Sequence, residues 1–233
     1  MYSNTKIAVP IFKKNKEEIL RMANDYIKKG ADILELRIDG IDDSNPKMVK
    51  DIIHEIDFPT IATNRLKLEG GYFKGSEEDR IAILRAASDV AEYVDVELQT
   101  KSTYIDSILE TGVKTIISYH DFEKTPPLNE MFEVVEEELK IGDIAKIAVT
   151  CRTLEDTIDI LAILSKFDNT IAISMGELGS YTRVIASKFK APITFAASDD
   201  ATAPGQIDFE TMKWILNLNL VDMDDFIQTF NEN

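Results

Sequence analysis

Short apolar runs alternate along the chain with longer segments in which apolar residues recur at helical spacing. The short runs predict eight strands: Lys6–Ile11, Asp32–Ile38, Pro59–Thr63, Tyr93–Leu98, Val113–Tyr119, Asp143–Thr150, Thr170–Met175 and Pro192–Ala197. A helix follows each. The first is capped by Asn15, carries Ile19, Met22, Ala23, Tyr26 and Ile27 on one face, and stops at Gly30. Asp43-Ser44-Asn45-Pro46 opens the second, with the proline in the first turn. Ser76 caps the third, which runs through Ala91. The pattern predicts further helices over Thr103–Thr111, Leu128–Lys140, Thr153–Lys166, Gly179–Phe189 and Asp208–Asn217, and a tail helix over Val221–Phe230.

Strict alternation of strand and helix implies a parallel sheet. Eight such units in 233 residues match a (β/α)8 TIM barrel. A doubly wound open sheet usually has fewer units and often a glycine-rich first turn, whereas the turn here is Ile11-Phe12-Lys13-Lys14. There is no linker or low-complexity stretch, so residues 1–233 are expected to form a single α/β domain.

Period-two alternation then assigns faces. On the second strand Leu34, Leu36 and Ile38 share one face, and Ile33, Glu35 and Arg37 the other. On the sixth, Ile147 and Val149 oppose Lys146 and Ala148. A lysine in such a run can be an edge residue that blocks aggregation. It can equally be a desolvated amine, whose lowered pKa leaves a neutral nucleophile for imine chemistry.

Barrel active sites lie where the strands end. The unusual polar residues collect there: Glu35 and Arg37, then Arg65, then Asp95 and Glu97, His120, Lys146, Met175 and, in the last loop, Gln206. The acids balance the cations, and Arg37, Arg65 and Arg183 are expected to favour a neutral Lys146. His120 has an ordinary pKa near neutrality and suits proton transfer. An amine that forms imines and an imidazole that moves protons can cleave a bond one carbon from a ketone, with no cofactor. Met175 reads as a pocket wall, and His54 as a surface or packing residue. Gly176-Glu177-Leu178-Gly179 is either a phosphate-binding turn or a tight connection.

Composition narrows the partners. A net charge of −16 argues against nucleic acid and anionic membranes. No apolar run has bilayer length and no signal-peptide core follows the start, so a cytoplasmic protein is expected. One cysteine, Cys151, excludes an intrachain disulfide and reads as a small buried side chain. With two histidines and that one cysteine, no metal site is expected.

The motifs Glu35-Leu36-Arg37-Ile38-Asp39, Thr63-Asn64-Arg65 with Glu69-Gly70-Gly71, Ser118-Tyr119-His120-Asp121-Phe122, Lys146-Ile147-Ala148, Ser174-Met175-Gly176 with Arg183, and Ala203-Pro204-Gly205-Gln206 span nearly the whole chain. In this order the chain resembles type I 3-dehydroquinate dehydratase, the Schiff-base enzyme of the shikimate pathway. The resemblance implies a (β/α)8 barrel that removes water from 3-dehydroquinate by syn elimination. That is the third step toward chorismate and the aromatic amino acids. It implies that Lys146 forms the imine, that His120 is the general acid and base, and that Glu69 supports His120. It implies substrate contacts from Glu35, Arg37, Arg65, Arg183, Thr202, Gln206 and Met175, with Arg183 gripping the substrate carboxylate. Threonine at 202 keeps the hydroxyl of the serine common in the family. Pro10 stands where several relatives carry a substrate-touching serine. Family members are commonly dimers, so a homodimer is expected. The competing enzyme is a class I aldolase, which also places a lysine on strand six, but no glycine-rich phosphate cradle follows strand eight here. A catalytically inactive binding barrel is the other alternative.

Overall fold

The computed structural model describes residues 5–199 and 205–217. The predicted tail helix Val221–Phe230, Thr202 and part of the last loop lie outside the described residues. Eight strands form one parallel sheet: β1 Lys6–Ile11, β2 Ile33–Arg37, β3 Thr60–Thr63, β4 Tyr93–Glu97, β5 Lys114–Asp121, β6 Ile144–Thr150, β7 Thr170–Met175 and β8 Ile193–Phe195. The sheet order is β7-β6-β5-β4-β3-β2-β1-β8, a nearly closed barrel. Among the described residues β8, three residues long, pairs with β1 and not with β7.

The helices are α1 Lys16–Lys29, α2 Pro46–Ile56, α3 Glu77–Ala87, α4 Ser102–Leu109, α5 Leu128–Ile141, α6 Leu154–Lys166, α7 Thr182–Ile185 and α8 Phe209–Asn217. Their starts follow the expected chemistry. The Asn15 side chain accepts from the Glu18 N–H, and Asn45 accepts from Met48. Ser76 with Asp79, and Thr153 with Asp156, form reciprocal capping boxes. The seventh helix departs from expectation. Instead of one helix over Gly179–Phe189, a four-residue α7 lies between 3-10 turns at Glu177–Gly179 and Ala186–Phe189. The Gly176–Gly179 segment is thus a tight connection, closed by Gly179 N–H donating to Gly176 C=O at 3.2 Å.

The alternation of faces divides the core in two. Outward strand residues such as Leu34, Leu36, Ile147 and Val149 are fully buried beneath the helices. Inward residues form their own apolar cluster, which includes Ile33, Ile61, Ile116, Ile144, Ile171 and Ile193. Each buried Ile or Leu contributes about 1.5–3 kcal/mol of transfer free energy. Further along β2 to β6 the inward positions turn polar, with Glu35, Thr63, Asp95, Ser118 and Lys146, whereas β7 and β8 stay apolar to their ends with Met175 and Phe195. The lower half of the barrel is a plug of hydrocarbon and the upper half carries the charge.

Pro10, buried in β1, needs an account because a proline removes a ladder donor. Ala8 faces β8, accepting from the Ala196 N–H at 3.0 Å, and Pro10 faces the same way two residues on. The β1–β8 register ends at Ala8↔Phe195, so position 10 has no strand partner there to donate to.

Thr153→Ala removes the hydroxyl that accepts from the Asp156 N–H. It is expected to lower the unfolding free energy by about 1 kcal/mol. Equilibrium urea denaturation monitored by circular dichroism measures this.

Candidate active site

The strand ends deliver their inward side chains to one pocket. Nine of the ten residues expected there line it together: Glu35, Arg37, Arg65, Glu69, His120, Lys146, Met175, Arg183 and Gln206. The tenth, Thr202, lies outside the described residues. Phe122, Ile173 and Phe195 complete the walls.

Lys146 is 4% exposed, which removes the edge-strand reading. Its Nζ donates to Asp95 Oδ2 at 2.8 Å, lies 3.6 Å from Glu35 Oε1, and sits 4.4 Å from the centre of the Phe195 ring. The expectation that Arg37, Arg65 and Arg183 dominate the charge environment of this amine is corrected here. The nearest charged groups are carboxylates, because the arginines are engaged in holding those and neighbouring acids. Arg65 Nη1 reaches Asp95 Oδ1 at 2.9 Å, Glu97 Oε1 at 2.7 Å and Ser118 Oγ at 2.8 Å. Burial pushes the Asp95 carboxyl up, but Arg65 and Lys146 together outweigh it and hold the group well below the usual carboxylate range. Arg37 spends its fork on Asp39, at 2.9 and 2.8 Å.

His120 lies on β5 beside Lys146. Ser118 is the register partner of Lys146 and His120 that of Ala148, so the two functional side chains are diagonal neighbours on the inner face. His120 Nδ1 is 2.7 Å from Glu69 Oε2, which leaves Nε2 as the ring atom free to address a bound molecule. Glu69 Oε1 accepts from Gln99 Nε2 at 2.6 Å. Burial, followed by the Arg65 and Lys146 charges, pushes the His120 imidazole well below its ordinary value. Burial pushes the Glu69 carboxyl up to about 7, against the opposing pull of Arg65. Both changes favour the uncharged forms. Glu69 arrives on a 3-10 turn, Lys67–Glu69, whose chain doubles back so closely that a Cβ on Gly71 would collide with the Arg65 carbonyl. Gly205 plays the same part for Gln206: its φ is +70°, and a Cβ there would meet the Gly176 carbonyl.

Arg183 is 2% exposed and belongs to α7, not to a strand. Its Nε has no hydrogen-bond partner among the described residues, and no carboxylate there pairs with it. Burial lowers the guanidinium to about 10. A buried cation aimed into a pocket without a counter-ion is a ready receptor for a carboxylate.

A model described as type I 3-dehydroquinase matches residues 7–222. The chain belongs to this family. It is 60% identical over 220 residues to a 3-dehydroquinate dehydratase from Methanobrevibacter smithii, a match spanning 94% of this chain and 98% of the relative. The type I 3-dehydroquinate dehydratase from Clostridium difficile, solved with covalent modified comenic acid, superposes with a TM-score of 0.85 at 31% identity, covering 92% of each chain. The 3-dehydroquinate dehydratase from Aquifex aeolicus superposes at 0.80 with 35% identity, covering 93% of this chain and 99% of that one.

Some residues and contacts of this type I 3-dehydroquinase site were not read from the sequence. Phe195 was findable, since it occupies an inward position of β8. Asp95 was recognised as a balancing charge but not as the hydrogen-bond partner of Lys146. Gln99, which holds Glu69, and Asp39, which holds Arg37, carried no periodic signal, because both act from turns beyond the strand ends. Among the described residues no group of three His, Cys, Asp or Glu side chains could hold a metal, and no helix is long and apolar enough to cross a membrane.

The Glu69 shift has a sign that can be checked. A carboxyl whose folded pKa is raised from 4.5 to about 7 stabilises the fold below its unfolded value and loses that contribution as pH rises through this window. Glu69→Gln removes the titration. The melting temperature of the variant relative to the parent is therefore expected to become more favourable as pH rises across that interval, measured by thermal melts in a pH series.

Proposed function

We propose that this chain is a type I 3-dehydroquinate dehydratase, a hydro-lyase that converts 3-dehydroquinate to 3-dehydroshikimate and water through an imine on Lys146. The observation that carries the proposal is the diagonal placement of a buried lysine and a carboxylate-held histidine in one pocket with an arginine that has no carboxylate partner among the described residues. Family membership and the relatives' names support the substrate.

In this mechanism Arg183 takes the substrate carboxylate, and Glu35, Arg37, Arg65 and Gln206 contact the hydroxyls. The Lys146 amine, once deprotonated, adds to the C3 ketone and expels water, giving an iminium. His120 Nε2 removes a proton from C2, and the electron pair flows toward the iminium nitrogen as an enamine. The enamine returns those electrons to expel the C1 hydroxyl, which takes the proton from His120. Hydrolysis of the imine releases 3-dehydroshikimate and restores the amine. The net change is loss of one water. A base pushed toward its neutral form by burial starts this cycle ready to accept a proton. The proposal extends to a cytoplasmic homodimer serving the shikimate pathway, with light scattering as the check on the assembly.

Incubation with 3-dehydroquinate and borohydride should leave a mass adduct that Lys146→Ala abolishes. Absence of an adduct on the parent enzyme, or an adduct only with aldol substrates, overturns the proposal. His120→Ala should still trap the adduct while turnover falls by about 10²–10⁴-fold. Arg183→Ala should raise KM at least roughly tenfold with a smaller change in kcat, as expected for a lost charged hydrogen-bond partner.

A further inference from the structure

Arg80 lies on α3, outside the barrel, and is 1% exposed. All five of its N–H donors are used. Nε and Nη2 bind the two oxygens of Glu77 at 2.8 Å each, Nη1 binds Glu97 Oε2 at 2.7 Å and the Asn64 carbonyl at 2.9 Å, and Nη2 binds Thr100 Oγ1 at 2.9 Å. One guanidinium thereby ties the helix to the end of β3 and the end of β4.

Glu97 passes the contact inward. Its other oxygen, Oε1, accepts from Arg65 Nη1 at 2.7 Å and from the Leu66 N–H at 2.9 Å. The same Arg65 nitrogen lies 2.9 Å from Asp95 Oδ1, and Asp95 Oδ2 holds Lys146 at 2.8 Å. Charges alternate at every step from Arg80 to Lys146, and the residues of this chain are at most 5% exposed.

We propose that Arg80 is a positioning residue for the lysine chemistry: through Glu97 and Arg65 it sets how tightly Asp95 holds the Lys146 amine. Arg65 Nη1 is shared between Glu97 and Asp95. With Arg80 in place, Glu97 has two cations, and Arg65 is left to neutralise part of Asp95. Without Arg80, Glu97 draws Arg65 toward itself. Asp95 then keeps Ser118 and Lys146 as its partners and holds the ammonium more strongly. Imine formation requires the amine to release that proton, so it moves to higher pH. The other titratable or charged groups around Lys146 are Glu35 and Arg37 on β2, Glu69 on the turn after β3, His120 on β5, Arg183 on α7 and, behind its strand, Glu138 on α5. None of them bonds to Arg80.

The inference rests on the imine proposal, and the test separates the two. The rate of borohydride trapping with 3-dehydroquinate is followed by intact mass across a pH series, alongside steady-state kcat and KM. In Arg80→Met the acid limb of the trapping profile should move to higher pH, with kcat at neutral pH about fivefold to tenfold lower and KM little changed, because Arg183 is untouched. Arg80→Lys keeps the charge with fewer bonds and should move the profile in the same sense by less; it carries the test if Arg80→Met does not fold. Glu97→Gln removes the acid that competes for Arg65 and should move the profile the opposite way. Profiles of the Arg80 variants that superimpose on the parent, or that shift in the same sense as Glu97→Gln, overturn the inference. Failure of the parent enzyme to form any adduct would instead overturn the imine proposal.

Discussion

The structure depends on keeping several charges dry in the upper half of a barrel. Removing an ion from water costs several kcal/mol even after relaxation, and only a close opposite charge with further hydrogen bonds offsets it. Each buried acid that carries charge here meets a cation: Asp39 with Arg37, Asp95 with Arg65 and Lys146, Glu97 with Arg65 and Arg80. Glu69 and Glu138 avoid the problem differently, since burial drives both toward the protonated form. Arg183 is the exception among the described residues, and its missing partner is what an anionic substrate would supply. A protein of net charge −16 can therefore attract a carboxylate locally, because its negative charges near the site are already neutralised by neighbours.

The same burial that makes ion pairs necessary also sets the protonation of His120 and Glu69, the proposed proton-transfer pair. An imidazole beside a carboxylate on the surface would form an ion pair of modest worth. Inside the pocket, with Arg65 and Lys146 nearby, the imidazolium is disfavoured and the carboxyl is raised, so the pair is driven toward its uncharged forms. Phe122 adds to the enclosure, its ring stacked near that of His120 at 15° and 6.4 Å between centroids. The loop carrying Glu69 is held against Arg65 by Gly71, so the support for His120 and the network around Lys146 share one anchoring point.

Periodicity made the fold and the composition of the inner face legible. The parity of Glu35 and Arg37 against Leu34 and Leu36, or of Lys146 against Ile147, states which side of the sheet a residue occupies: Leu34, Leu36 and Ile147 pack into the clusters beneath the helices, while Glu35, Arg37 and Lys146 line the pocket. Parity does not state which inward residue meets which. Asp95 reaches Lys146 although β4 and β6 are separated by β5, and that contact follows from the stagger of the barrel, not from any local spacing. Arg80 was harder still. A charged residue in the first turn of a helix, beside Glu77 and Asp79, has the pattern of a solvated salt bridge. Only the approach of Glu97 from β4 turns it into a buried cross-link. The break in the seventh helix was similarly hidden, because residues 180–189 keep helical spacing and contain no glycine or proline to mark it.

The gap between β7 and β8 links these features. Here α7 follows β7, packs against β8 through Arg183 C=O, which accepts from Thr194 Oγ1 at 2.7 Å, and places its arginine in the pocket. Gly205 brings the chain onto the Gly176 carbonyl at the same edge, and Gln206 enters the pocket from there. Pro10 is tolerated on the other side of β8 for a related reason, since the β1–β8 ladder has already ended. Shortening β8 to three residues thus costs the sheet some hydrogen bonds, and beside this edge Arg183 and Gln206 join Glu69 and Phe122 as pocket groups from outside the strands. In the proposed reaction the charged half of the barrel supplies the amine and the imidazole, and this edge supplies groups that would hold the molecule against them.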